Sequence, residues 1–402
     1  MQSSLQNTNR LLNKSTTFQE SLLQKVLDFA KQKGATDAEV VMHEESGFGV
    51  DVRMGAVETI SSSEGRSFTV VVYLGHRKGS SSSTDLSEAS LQSLVQAAYD
   101  IASVSAEDPC FGLADPALLI KNAPDLDLFH PWDLSPEQAI QDAIACEAYG
   151  LNYDPAIVNS DGVSIANYLY CNSYASSQGA QAVVYSTSHS RSCSLLAKQG
   201  DSMQREYEYS VARDARHLKD LRFIGEEAAK LAKQRLGARP IRTQKVPVVF
   251  SNRLSGGVIG CFMDAISGSS QYRKQTFLLD SIGKTVFPSW VKIEEEPYLP
   301  GALGSSAFDG DGVMTRPNVF VEDGCIRQYV LGCYSARRLG LETTANSGGV
   351  YNLRMSSNIE NLEEILSQMG SGLLVTELMG QGVNLMTGDY SRGANGFWVE
   401  GG

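Results

Sequence analysis

Apolar positions in this chain recur first with a helical period. Leu22, Leu23, Val26, Leu27 and Ala30 share one face, Thr17-x-x-Glu20 offers a capping box ahead of them, and Gly34 ends the run. From Ala38 to Tyr73 the period falls to two. Val40 with Met42, Val50 with Val52 and Val57 with Ile60 predict short strands parted by turns at Ser46-Gly47 and Met54-Gly55. Phe68 to Leu74 reads as one continuous apolar strand. The Ser-rich segment Gly79 to Ser83 reads as a loop, leading into a second helix capped by Asp85-x-x-Glu88, with Leu91, Leu94, Val95, Ala98 and Ile101 on its face. Helix, meander and helix predict a first α+β unit over residues 17–106.

A Pro- and Asp-rich stretch from Glu107 to Pro131 predicts a boundary. Ser135-Pro136 then starts a helix, with Ser as N-cap and Pro in the first position. Strands are expected around Ser164 to Cys171, Gln181 to Tyr185, Cys193 to Leu196 and Glu206 to Val211. A long helix from about Leu221 to Leu236 stops at Gly237, with Pro240 beyond. This second α+β unit, residues 107–240, repeats the outline of the first without a residue-level repeat. The remainder, 241–402, opens with a strand at Val246 to Phe250 and turns Gly-rich. It has a hairpin from Val319 to Leu331 turning at Glu322-Asp323-Gly324, a short helix at Leu362 to Met369 and a strand at Leu373 to Leu378. The pattern predicts a mainly antiparallel β domain with small helices, and an α+β fold overall. The polar residues 1–16 read as a flexible tail.

Composition narrows the function classes. With 42% hydrophobic and 20% charged residues over 402 positions, the chain reads as a soluble protein of two or three domains. A net charge of −12 gives no support to a phosphate-binding surface, so no nucleic acid is expected. No apolar run is long enough for a membrane span, and the N-terminus has no apolar signal core, which predicts a cytoplasmic protein. The seven cysteines are odd in number and scattered, without a CxxC, so neither a disulfide framework nor a zinc ribbon is expected.

Chemistry is sparse in local motifs. The five histidines, His43, His76, His130, His189 and His217, never come within a helical turn or two of one another, so the spacing of a catalytic metal site is absent. His43-Glu44 lies on a predicted strand. Asp309-Gly310-Asp311-Gly312 resembles the start of a calcium loop, but Phe320 stands where the closing carboxylate belongs, and turn chemistry is the better reading. Gly47-x-Gly49 and Gly380-x-Gly382 lack the third glycine of a dinucleotide loop. There is no GxSxG and no P-loop. Polar, glycine-rich segments concentrate after Ser251: Ala265 to Lys284, Tyr334 to Gly340, Thr376 to Gly382 and Thr387 to Gly393. They suit either a cleft whose backbone pairs with an extended peptide or a β domain needing Gly at its turns.

Those segments resemble the PmbA (TldE) branch of the TldD/PmbA family. The likeness rests on Phe277-Leu-Leu-Asp-Ser-Ile-Gly-Lys284, Tyr334-Ser-Ala-Arg-Arg-Leu-Gly340, Val375-Thr-Glu-Leu-Met-Gly-Gln-Gly382, and Gly388-Asp-Tyr-Ser-Arg-Gly393 with Gly396-Phe-Trp398. It extends through the Asp51 to Leu74 meander and the Ser81 to Asp85 loop. The resemblance implies an intracellular heterodimeric peptidase acting in proteolysis and peptide maturation. A TldD-type subunit bears an HExxxH helix and a further Cys for zinc, and the PmbA-type subunit is its paralogous partner. Modified peptide precursors that lose a leader, and flexible polypeptides, are the implied substrates. The older family label, modulator of DNA gyrase, gains no support from the charge.

The helix following Phe250, about Gly256 to Ile266, resembles the one bearing HExxxH. In the best register Cys261 stands for the first His, Phe262 for the Glu and Ile266 for the second His. The resemblance therefore implies a non-catalytic subunit without catalytic or metal residues of its own, with zinc on the TldD-type partner. Arg273, Asp389 and Arg392 are candidates for cleft or interface contacts. Family members run several strands past Trp398, so a shortened last sheet with an exposed edge is expected. A self-sufficient hydrolase acting as a homodimer, and a non-proteolytic binding or regulatory protein, stay open as alternatives.

Overall fold

The structure is a computed structural model, and it describes residues 11–402. The chain is α+β, with mixed helices and mostly antiparallel sheets, and it divides into two compact units. The first holds the described residues up to Arg239 together with Leu299–Ala307. The second holds Pro240–Tyr298 and Phe308–Gly402.

The first unit is built on one six-stranded antiparallel sheet. Its strands are β1 (Asp37–Arg53), β2 (Ala56–Leu74), β3 (Arg77–Ser83), β4 (Ile157–Ser176), β5 (Gln181–Gln199) and β6 (Ser202–Ala212), in the order β3-β2-β1-β4-β5-β6. The two α+β units expected from the sequence thus share a sheet, because β1 pairs with β4 from Glu39↔Ser176 to Val52↔Val163. Helices α1 (Thr17–Gln32), α2 (Glu88–Val104), α3 (Pro136–Leu151) and α4 (Leu221–Gln234) attend it. Val40 and Met42 pack with Leu23, Val26, Leu91 and Val95 of α1 and α2, while Val50 and Val52 pack with Ala143, Cys146, Ile224 and Ala228 of α3 and α4. All four β1 residues have even numbers and so share one face of the strand, which puts both helix pairs on the same side of the sheet.

Several local expectations are corrected by this packing. Gly47 is not in a turn but in mid-strand, where a Cβ would meet the Asn167 carbonyl at 2.3 Å and the Tyr168 ring at 2.5 Å. The glycine serves close approach there rather than chain reversal. Gly79 to Ser83 is not a loop but part of the edge strand β3, and a Cβ at Gly79 would meet the Ala98 carbonyl of α2 at 2.1 Å. The segments expected as two strands at Gln181 and Cys193 are one strand, β5. Helix α1 is capped from Thr16 without a side-chain bond, in place of the Thr17 box.

Other signals hold. Ser135 accepts from the Gln138 N–H ahead of Pro136, and Met54-Gly55 forms the β1–β2 turn, with φ of 50° and 73°. The buried Glu147 of α3 clamps that turn, its two oxygens accepting from the Met54 and Gly55 N–H groups at 2.9 and 2.7 Å. Of the expected tail, residues 1–10 lie outside the described residues. From Leu11 onward the tail reading is corrected: Leu11 is buried beside Cys171 and Tyr185, and the Tyr185 hydroxyl donates to the Ser15 carbonyl at 2.5 Å.

The second unit holds smaller sheets. β7 (Val248–Phe250), β8 (Ile293–Glu295), β9 (Asn318–Glu322), β10 (Cys325–Ile326), β11 (Leu353–Met355), β12 (Gly372–Met379), β13 (Val383–Asn384), β14 (Asp389–Tyr390) and β15 (Gly393–Val399) form the orders β10-β9-β8-β11, β15-β12-β7 and β13-β14. Only β7 and β12 run parallel among these pairs. The β9–β10 turn falls at Asp323-Gly324, both at positive φ, as the hairpin pattern predicts. Helices α5 (Asn252–Ala265), α6 (Gly268–Tyr272), α7 (Cys333–Leu339) and α8 (Leu362–Met369) complete the unit. Its core gathers Met263, Ile266, Ile293, Phe320, Val321, Ile326 and Leu331.

Candidate functional site

Helix α5 leaves β7 through Ser251, whose N–H donates to the Val375 carbonyl of β12 at 2.9 Å. Its first half turns a bare surface outward. Nothing lies within 4 Å of a Cβ built at Gly256, Gly257 or Gly260, although each glycine weakens an α-helix relative to Ala. Its second half enters the core. Phe262 is half-buried edge-to-face against Phe287, with centroids 4.9 Å apart at 76°. Ile266 is fully buried at the end of the helix, its carbonyl accepting from the Val330 N–H at 3.1 Å. Cys261 is a half-buried free thiol.

This donor set does not fit a zinc ion. Of the three positions that the sequence likeness sets against HExxxH, only Cys261 offers a ligand atom, and the other two side chains are apolar and packed in the core. The five histidines all belong to the first unit, and the rings of His43, His76, His130 and His189 have hydrogen-bond partners there. His43 Nδ1 lies 2.7 Å from Asn172 Oδ1, and the buried His189 donates from Nε2 to the His130 carbonyl at 2.8 Å, its pKa lowered chiefly by burial. Among the described residues no group of three or more His, Cys, Asp or Glu is placed to hold a metal.

A cavity of about 450 Å³ opens where α5 ends, lined from α5, α6, the start of α7 and the loop around Ser347. One wall is a tightly bonded acidic turn. The Asp309 Oδ1 atom accepts from the N–H groups of Asp311 and Val313, at 2.9 and 3.0 Å, and its Oδ2 accepts from that of Ser347 at 2.9 Å. Asp311 in turn accepts from the Ser347 hydroxyl at 2.9 Å and the Cys333 N–H at 2.7 Å. Burial, and then the neighbouring Asp311 charge, push the Asp309 carboxyl up to about 7. Behind it the buried Glu295, also raised chiefly by burial, accepts from Asn318, Asn346 and the Tyr351 N–H.

Sequence reasoning placed Asp309 to Gly312 in a turn, and the turn is there: the Gly312 N–H donates to the Asp309 carbonyl at 3.0 Å. It missed that the turn bonds to Ser347 and Cys333, a pairing with no local signal. Of the three candidate contact residues, Arg273 and Asp389 are exposed and Arg392 is half-buried. Arg273 stacks on Tyr272 at 5.5 Å beside the cavity, whereas Asp389 accepts from the Thr387 hydroxyl at 2.7 Å and Arg392 reaches the Met379 carbonyl at 3.4 Å. No hydrogen bond or ion pair joins Arg273 to either of the other two among the described residues.

Three domain models of one family match in succession: PmbA/TldA metallopeptidase domain 1 over residues 38–102, the central domain over 129–236 and the C-terminal domain over 243–402. Metalloprotease PmbA of Escherichia coli O157:H7 is 42% identical over 383 residues, covering 95% of this chain and 85% of that protein. Among solved structures, a putative modulator of DNA gyrase from Bacteroides thetaiotaomicron superposes with a TM-score of 0.90 at 25% identity, covering 96% of this chain and 88% of that one. TldE from Thermococcus kodakarensis shares the fold, with a TM-score of 0.76 at 18% identity over 90% of this chain and 83% of its own.

Proposed function

The chain belongs to the PmbA/TldD metallopeptidase family, and from that premise we propose that it is a PmbA/TldE-type subunit, pairing with a TldD-type subunit in a cytoplasmic peptidase that degrades or matures peptides. The zinc and the water-activating carboxylate belong to the partner, and this chain contributes substrate channel and interface. One observation carries the reading. On α5, Phe262 and Ile266, which the likeness sets at the positions of a Glu and a His, both serve the apolar core. A carboxylate at 262 would have to leave the Phe287 contact, and an imidazole at 266 would be desolvated without a partner. The bare glycine surface on the same helix supports a role in contact, since it lets another backbone approach closely. Arg273, Asp389 and Arg392 serve as contact residues on this reading, the first two exposed and the third half-buried.

The test is co-expression with a TldD-type chain from the same genome. The two chains are expected to co-elute and to hydrolyse a flexible polypeptide only together. Hydrolysis by this chain alone, insensitive to chelator and lost in Cys261→Ala, overturns the reading in favour of a self-sufficient hydrolase.

A further inference from the structure

On the helix-bearing face of the first unit's sheet, residues 126–134 form neither helix nor strand, yet they are fastened at alternate carbonyls. Thr187 donates from its N–H to the Leu128 carbonyl at 2.9 Å, His189 from Nε2 to that of His130 at 2.8 Å, and Asn167 from Nδ2 to that of Trp132 at 3.0 Å. Asn167 and His189 are directly opposed on β4 and β5, and Arg191 follows His189 on the same face of β5. The Trp132 indole stands edge-on to the His189 ring at 5.5 Å and has the Arg191 guanidinium at 5.3 Å. One residue therefore meets all three side chains.

Each of the three keeps one buried polar atom that has no protein partner among the described residues: Asn167 Oδ1, His189 Nδ1 and Arg191 Nε. Asn167 is 5% and His189 0% exposed, so bulk solvent does not serve them. The bonds already made fix what each atom can do. Asn167 presents its amide nitrogen to the Trp132 carbonyl, which leaves Oδ1 as an acceptor. The His189 nitrogen facing a carbonyl carries the proton, and burial favours the neutral ring, so Nδ1 is a bare lone pair. Arg191 Nε is a donor in every state. Two acceptors and one donor are thus left over, and a buried polar group without its hydrogen bond is costly. A cation would suit the two acceptors but is repelled by the guanidinium. An anion would suit the guanidinium but is repelled by the two lone pairs. A water molecule donates twice and accepts as well, and about three such bonds are usual for a buried water.

We infer that this place is a binding site for one internal water molecule, which donates to Asn167 Oδ1 and His189 Nδ1 and accepts from Arg191 Nε. The water completes the fastening of residues 126–134 to the sheet. It belongs to the first unit and is independent of the peptidase reading.

The experiment is a high-resolution crystal structure of the full chain, joined to nitrogen NMR of the His189 ring and to water magnetic relaxation dispersion in solution. The crystal is expected to show one ordered water within hydrogen-bond distance of all three atoms. An ion there, a dry gap, or direct bonds among the three side chains overturns the site. In the native chain the Nδ1 resonance is expected to be displaced from the bare-lone-pair value by the water's hydrogen bond, and a bare value, or a protonated Nδ1, overturns it. Arg191→Met removes the donor from a half-buried position and keeps an apolar stem beside Trp132. The dispersion is expected to lose one long-lived water in that variant, and an unchanged count counts against the site. The two native-chain measurements decide the matter even where the variant fails to fold.

Discussion

Ile266 and Asp309 illustrate how differently single residues near the end of α5 are held. Ile266 is wholly enclosed by apolar neighbours, so Ile266→Ala is expected to cost about 2–5 kcal/mol of unfolding free energy, read by chemical denaturation. A cost near zero would mean that the position is not part of the core and is available for another use. Asp309 makes three hydrogen bonds from backbone N–H groups and still titrates near 7, because burial and the adjacent Asp311 charge outweigh those bonds. Its folded-state pKa lies above the ordinary 3.8, so between roughly those two values the folded chain holds more protons than the unfolded one. Stability from this group is therefore full below pH 3.8 and is lost as the pH rises toward 7. Denaturation at pH 5 and pH 8 is expected to show a loss of stability in the native chain that is smaller in Asp309→Asn. Identical pH dependence in the two would show that Asp309 titrates normally.

Among the secondary-structure elements, glycine marks opposite situations. On β1, Gly47 has the Tyr168 ring and the Asn167 carbonyl where a side chain would go. On α5, Gly256 has open space. Gly47→Ala is expected to destabilise by about 1–3 kcal/mol through overpacking of the β1–β4 pair. Gly256→Ala should stabilise the isolated chain by about 1 kcal/mol through helix propensity. Thermal unfolding of the two variants checks both signs, and the same sign for both would contradict the packing described. These glycines also show what local sequence conveys. Helices α1 and α2 were legible because each carries a periodic apolar face, α3 because of its Ser135-Pro136 start, and the Met54-Gly55 turn because positive φ demands such residues, whereas α6 and α7 were not read. Gly47 was misread as a turn because its reason, a tyrosine ring on β4, lies 121 positions away. The serines of β3 hid a strand for a related reason. That strand is an edge whose serine side chains lie exposed or half-buried, so alternation in hydrophobicity is absent.

Over the whole molecule, the fold class was readable from the order of elements, but the single sheet of the first unit was not. Joining the two predicted units depends on β1 pairing with β4 across more than a hundred residues, and nothing local encodes that choice. The candidate site divides along the same line. Cys261, Phe262 and Ile266 lie on one helix and could be placed by register, whereas Asp264, Asp311 and Tyr334 reach one cavity from three separate segments. The proposed division of labour between two subunits rests on the helix rather than on the cavity, and it predicts where metal resides. The most direct measurement is zinc content, by elemental analysis after dialysis, of this chain alone, a TldD-type chain alone and their purified complex. The account predicts negligible zinc on this chain, about one equivalent on the TldD-type chain and no more than that in the complex. Stoichiometric zinc on this chain alone, lost in Cys261→Ala, would contradict it.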